Sequence, residues 1–198
     1  MSHRVGLDQA TVVEAAAKLV DEEGIQQLTL GRLAERLGVR TPSLYNHVAG
    51  LPGLKRDLAI YCLRDLLDRI LRTTIGKSRA EAIVAIANAN RAYARETPGR
   101  YALTLQAPDP GDRELQAIAQ QLIEVALAIL APYKLGEEEA IHAIRGLRSI
   151  VHGFITLEGA GGFAMPVDLD ASFHWLINVF VAGLERSTVI NSDASEPA

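Results

Sequence analysis

The sequence predicts an all-α fold: a three-helix N-terminal unit, a long joining helix and a larger helical bundle, about nine helices in all. Three observations predict it. Apolar residues recur at spacings of three and four, the mark of a helix with one buried stripe. No run alternates apolar and polar residues with the period of two that a half-buried strand requires. Gly, Pro, Thr and Asp fall where helices start and stop.

In the first helix Val12, Val13, Ala16, Leu19 and Val20 share a stripe, with Asp8 as its cap and Gly24 as its stop. Thr29 caps the second, whose stripe is Leu30, Leu33, Ala34 and Leu37 and whose stop is Gly38. Thr41 is expected to cap a third, with Pro42 at its first helical position, where a missing N–H costs nothing. This helix is expected to run to His47, with Leu44 and Val48 facing the core. A fourth spans about Leu51 to Ile75 along Leu54, Leu58, Tyr61, Leu66 and Ile70.

After a Gly-Lys-Ser turn, an Ala-rich fifth helix covers about Arg79 to Glu96, carrying Asn90 and Tyr93. A short sixth has Pro98 near its start, and "APDPGD" follows as a loop. The seventh, Arg113 to Leu130, spaces Leu115, Ile118, Leu122, Val125 and Ile129 by 3, 4, 3 and 4. The eighth runs from about Glu137 to Glu158, and "GAGGFAMPVDLD" leads to a ninth, Ala171 to Arg186. The expected division is 1–50, 51–187 and a disordered polar tail at 188–198.

A chain of 198 residues with 48% hydrophobic side chains buries a real core and is not a disordered composition. The net charge of −4 lies outside residues 1–60, where seven Lys and Arg balance seven Asp and Glu. The single cysteine, Cys62, permits no disulfide within the chain, which suits a reducing cytoplasm. The N-terminus lacks a signal-peptide core, and no apolar run is counted near the ~20 residues of a membrane span, so a cytoplasmic protein with no membrane partner is expected.

The short helices have the proportions of a helix-turn-helix DNA reader. Leu30 to Leu37 supports, Gly38-Val39-Arg40 turns, and Thr41 to His47 reads. Val39, Leu44 and Val48 anchor the reader. Ser43, Tyr45, Asn46 and His47 are left for base edges and phosphates. The free backbone amides within Thr41 to Ser43, those of Thr41 and Ser43, with Arg40 beside them, favour a phosphate. The same spacing also occurs in helical domains that do not bind DNA. An all-helical small-molecule-binding or interaction protein without sequence-specific DNA binding is therefore the alternative.

"TLGRLAERLGVRTPSLYNHVAGLPGL" resembles the DNA-binding domain of the tetracycline-repressor (TetR) family, over about Asp8 to Tyr61. The resemblance implies DNA contacts at Thr41, Pro42, Ser43, Tyr45, Asn46 and His47, with Thr29 and Arg40 at backbone-contacting positions. The chain departs from the family where a Lys often precedes the fourth helix: "AGLPGLKR" has none before Lys55, and backbone amides near Gly50 and Leu51, or Lys55 itself, are the expected substitutes. Leu147 to Phe163, "LRSIVHGFITLEGAGGF", resembles the branch with a Trp-His-Gly type C-terminal domain, with Val151 standing where Trp is expected.

That resemblance implies a dimeric, ligand-responsive regulator, most often a repressor of a palindromic operator, with a bundle that binds a small molecule. The homodimer is expected through helices 137–158 and 171–186, since the eighth helix is apolar nearly all round. Tyr93, Tyr101, Gln106, His152 and Trp175 are the candidate ligand contacts, polar or aromatic groups on apolar segments.

No enzyme reading holds together in the sequence. His142, His152 and His174 are spaced wrongly for a metal, "GAGG" lacks a strand before it and a Lys after it, and Ser149 lacks a nucleophile-elbow context. No cofactor or metal is expected.

Overall fold

A computed structural model describes residues 7–193 and is all-α. Nine α-helices lie among the described residues: α1 Gln9–Glu23, α2 Leu30–Leu37, α3 Thr41–Leu44, α4 Gly50–Thr74, α5 Arg79–Glu96, α6 Pro98–Leu103, α7 Arg113–Leu130, α8 Glu137–Gly159 and α9 Leu169–Asp193. Single 3-10 turns at Ile25–Gln27 and Ala131–Tyr133, unforeseen in the sequence, tighten two connections. The residues form two compact units. One draws on Met1–Asp65 and Glu96–Ile118, the other on Leu66–Arg95 and Ala119–Ala198.

In the first unit the caps work as local chemistry dictates. Asp8 Oδ1 accepts from the Thr11 amide at 2.7 Å, and Thr29 Oγ1 from the Arg32 amide at 3.2 Å. Gly38, at φ 66, ends α2 with its N–H on the Glu35 carbonyl, while the Val39 N–H reaches back to Ala34. This paired closure needs a left-handed residue, which is why Gly stands there. The core gathers Val12, Leu19, Leu33, Leu44, Leu54 and Leu58, with Val39 and Tyr61 packed against it.

The unit is larger than the 1–50 segment because α6 docks on α1. The contact requires Gly99: a Cβ there would lie 2.0 Å from the Val20 carbonyl oxygen. Arg100 fixes the dock, its backbone N–H and Nε both donating to Asp21 and its Nη1 to Asp65.

Several boundaries differ from expectation. Thr41 is the first residue of α3 and Arg40 its cap. The helix ends at Leu44 rather than His47, because the Asn46 and His47 amides bond three residues back, to Ser43 and Leu44. The Ser43 amide, expected free, donates to the Arg40 carbonyl at 2.9 Å. α9 continues to Asp193, past Arg186, so residues 188–193 of the expected disordered tail are helical. Residues 194–198 lie outside the described residues.

Contrary to the expectation of no such run, the stretch Arg113–Tyr133 is, by length and composition alone, apolar enough to cross a membrane. Gln120, Gln121 and Glu124 interrupt its apolar residues.

In the second unit α8 and α9 pack together. A Cβ on Gly146 would meet Phe180 at 3.5 Å, and the Phe154 and Phe173 rings lie 5.0 Å apart. Ile83, Tyr93, Tyr133, Phe173 and Ile177 are its most deeply buried large side chains.

Candidate nucleic-acid interface

The reader is an anchored edge. Leu44 is fully buried and Val48 nearly so, fixing α3 and the turn behind it to the unit's core. The residues between point elsewhere. Tyr45 is 61% exposed, unusual for so large an aromatic side chain. Arg40, Pro42 and Asn46 are exposed, and Thr41, Ser43 and His47 are half-buried. Thr29, exposed at the head of α2, and Lys55, exposed in α4, flank this edge in sequence. His47 stands near Asp8, whose carboxyl is held below its usual range first by the Thr11 amide and further by that imidazole.

Charge is arranged with economy. Arg36 forms a two-pronged pair with Glu22, both bonds at 2.6 Å, and Arg32 pairs with Glu23 at 2.6 Å and with Gln27 Oε1 at 2.7 Å. Both arginines tie α2 to the end of α1 and the turn that follows it. Arg56 is engaged by Asp112 and Glu114. Arg40 and Lys55 remain exposed with no ion pair among the described residues.

The five ligand candidates fall in both units. Tyr101, on α6, is buried in the first unit, where Gln106 lies exposed in the following connection. In the second unit Tyr93 is fully buried beneath the Arg69 guanidinium, 5.0 Å from its ring centre. His152 is half-buried on α8, with Nε2 3.5 Å from Thr156 Oγ1. Trp175, expected in a pocket, is 68% exposed on α9. An open depression of about 560 Å³ in the first unit is lined by Arg56, Asp109, Gly111, Asp112, Arg113 and Glu114. Its lining is mostly charged, with Arg56 paired to Asp112 and Glu114, and is ill suited to an apolar molecule.

One group escaped the sequence reading. Arg91 is buried, its guanidinium 4.8 Å from the Phe173 ring and 5.2 Å from Phe154, and it pairs with Glu158 and Asp170. Its signal was a charged residue in the apolar row Ile83, Ala87, Arg91, Ala94. Among the described residues no group of three or more His, Cys, Asp or Glu is placed to hold a metal.

Residues 12–47 match the model described as bacterial regulatory proteins, tetR family, and residues 83–180 match a tetracyclin repressor-like C-terminal domain. The uncharacterised HTH-type transcriptional regulator YobS of Bacillus subtilis is 34% identical over 93% of this chain and 96% of its own length. The chain belongs to the TetR family of bacterial transcriptional regulators. A second such uncharacterised regulator, from Mycobacterium tuberculosis, is 36% identical over 96% of this chain and 87% of its own.

Among solved structures, a TetR variant from Acinetobacter baumannii AYE in complex with minocycline is 26% identical, with a TM-score of 0.70 over 92% of this chain and 98% of that one. A Rhodococcus protein of unknown function, 20% identical, shares the fold with a TM-score of 0.79 over 93% and 99%. Members of the family are DNA-binding regulators, not enzymes, and typically respond to a ligand. The matched domains place the reader inside the family's DNA-binding half, and Tyr93, His152 and Trp175 inside its C-terminal half.

Proposed function

We propose that this chain is a homodimeric, cytoplasmic repressor that binds a palindromic operator and is released by a small molecule held in the C-terminal bundle. The observation carrying the reading is the reader edge itself: Tyr45 and Asn46 exposed beside the buried anchor Leu44. An aromatic left in water on a rigidly held turn loses apolar stabilisation unless a partner covers it. Arg40, Thr41, Pro42, Ser43, Tyr45, Asn46 and His47 form the base- and phosphate-facing edge, with Thr29 and Lys55 on the backbone.

A symmetric dimer through α8 and α9 would suit a palindromic operator, whose half-sites lie about 34 Å apart. Exposed Trp175 belongs to that face rather than to a pocket. Tyr93 and His152 are the ligand contacts retained, with Tyr101 and Gln106 in the other unit as secondary candidates. The minocycline complex of the Acinetobacter relative supports a ligand of small-molecule size. Membership of the Trp-His-Gly branch rests on the resemblance of 147–163 alone, a stretch inside the region matched as a tetracyclin repressor-like C-terminal domain. Ligand and operator are coupled by ~1–3 kcal/mol, the ordinary range for such switches.

The test is selection of genomic DNA fragments on the purified protein, followed by titration of the selected sequence. A palindrome bound in the nanomolar range is expected, and Tyr45→Ala should weaken it by ~1–3 kcal/mol. Recovery of no preferred sequence would favour the interaction protein without DNA specificity.

A further inference from the structure

We propose that the connection at 160–168 is a preformed arm that seats Phe163, Met165 and Val167 on a second copy of this chain. The inference rests on the dimer reading above and extends it beyond the two helices. Ten large hydrophobic side chains are exposed among the described residues, and six of them lie between Leu157 and Val179. Met165 is 76% exposed and Val167 61%, beside Trp175 at 68%. At the ~150–250 Å² typical of large side chains, the six expose on the order of 700 Å². That approaches the ~800 Å² a partner contributes to a standard interface.

The arm is held, not loose. Arg91 bonds both oxygens of Glu158, at 2.6 and 2.9 Å, on the near side of the connection, and Asp170 at 2.8 Å on the far side. Phe163 stacks against Phe154 at 4.8 Å between centroids. The Gly162 N–H donates to the Leu157 carbonyl at 2.7 Å, and Asp168 caps α9 by accepting from the Ala171 amide at 2.6 Å. The backbone is fixed at both ends while its apolar side chains face water. Such preorganisation lowers the ordering cost of association and has no use in a mere connector.

The occupant follows from charge and continuity. No charged residue occurs from Gly159 to Val167, so the segment offers nothing to an ionic partner. Near a two-fold axis a surface meets itself, and an uncharged apolar segment is self-complementary where a charged one repels. The segment joins α8 to α9 directly. The exposed Gly153 and Gly183 on those helices have nothing within 4 Å of a would-be Cβ, which leaves room for close approach by another backbone.

The experiment is sedimentation equilibrium of the full chain, carrying Met165→Asp and Val167→Asp singly and together, with far-UV circular dichroism as a check on folding. The parent should be dimeric and the double variant should raise the dimer Kd at least tenfold at unchanged helicity. As a measurement free of disruptive substitution, Met165→Cys is labelled with benzophenone maleimide and irradiated. Cys62 is fully buried, so the label is confined to position 165. A covalent dimer is expected. A parental dimer with wild-type Kd in the variants and no cross-link overturns the arm and leaves the helix-pair dimer standing. A parent that stays monomeric overturns both.

Discussion

Replacing Gly99 with Ala tests whether α6 is structurally part of the reader unit. The new Cβ would lie 2.0 Å from the Val20 carbonyl oxygen, 2.4 Å from its carbonyl carbon and 2.8 Å from the Asp21 nitrogen. Non-bonded atoms rest near ~3.5 Å, so the shortfall is about 1.5 Å and falls on backbone, which cannot rotate away. α6 must retreat, and the two Arg100 bonds to Asp21, at 2.9 and 2.6 Å, lengthen with it. Overpacking of this kind costs ~1–3 kcal/mol and weakened hydrogen bonds about 1 more, against a helix-propensity gain of up to ~1 for Ala over Gly. The net expectation is a loss of about 2 kcal/mol, read as a lower urea midpoint at constant slope.

The matched control is Gly31→Ala, on the exposed side of α2, where the nearest atom is Thr29 Oγ1 at 4.0 Å. There the same chemical change should be neutral or should stabilise by up to ~1 kcal/mol. If Gly99→Ala unfolds within about 0.5 kcal/mol of the parent, α6 is not docked as described.

Leu44→Ala removes the reader's fully buried anchor and should cost ~2–5 kcal/mol of stability by urea titration; a loss below 1 would show that the reader is held by something else. Glu158, its carboxyl held below the ordinary 4.5 first by hydrogen bonds from Arg91, stabilises the fold above that pH and loses this contribution as pH falls through its folded-state value. Glu158→Gln should therefore flatten the acid limb of the stability–pH curve, and an unchanged limb would dissociate Glu158 from acid unfolding. Lys55→Ala should weaken binding to all DNA sequences alike and make its salt dependence shallower by about 1 per protomer; an unaltered slope removes Lys55 from the backbone contacts.

Much of the first unit was legible because its determinants are local. Asp8, Gly24, Thr29 and Gly38 mark helix ends through bonds to residues within four positions, and the structure shows each in that role. The reader's helix is shorter than expected for an instructive reason. Leu44 and Val48 have helical spacing, and Val48 does bond to the Leu44 carbonyl, but the intervening amides bond in the tighter three-residue pattern. Spacing reports which residues face the core, not which hydrogen bonds connect them. The α6 dock was illegible, since Gly99 and Val20 are far apart in sequence and nothing around Gly99 names its partner. Aromatic residues on apolar helices were equally ambiguous: Tyr93 is fully buried and Trp175 mostly exposed, and the difference lies in which helices cover them.

The zero net charge of residues 1–60 takes on a different meaning once the pairs are known. Arg32, Arg36 and Arg56 hold carboxylates that fasten helices, and Lys18 stands beside Glu22. The balance therefore reflects how the unit is built and does not count against DNA binding. It does limit the electrostatic share of that binding. Arg40 and Lys55, exposed among the described residues and without an ion pair there, would together neutralise about four phosphates in a dimer and contribute about −4 to the slope of log affinity against log salt. Most of the discrimination must then come from the uncharged edge at Tyr45 and Asn46. A slope near −8 would mean instead that the Arg32 and Arg36 pairs open on the operator, exchanging carboxylate for phosphate. Glu22→Gln, which leaves Arg36 without its carboxylate, would then tighten binding in low salt, and an unchanged affinity in that variant would show that Arg36 lies out of reach of phosphate.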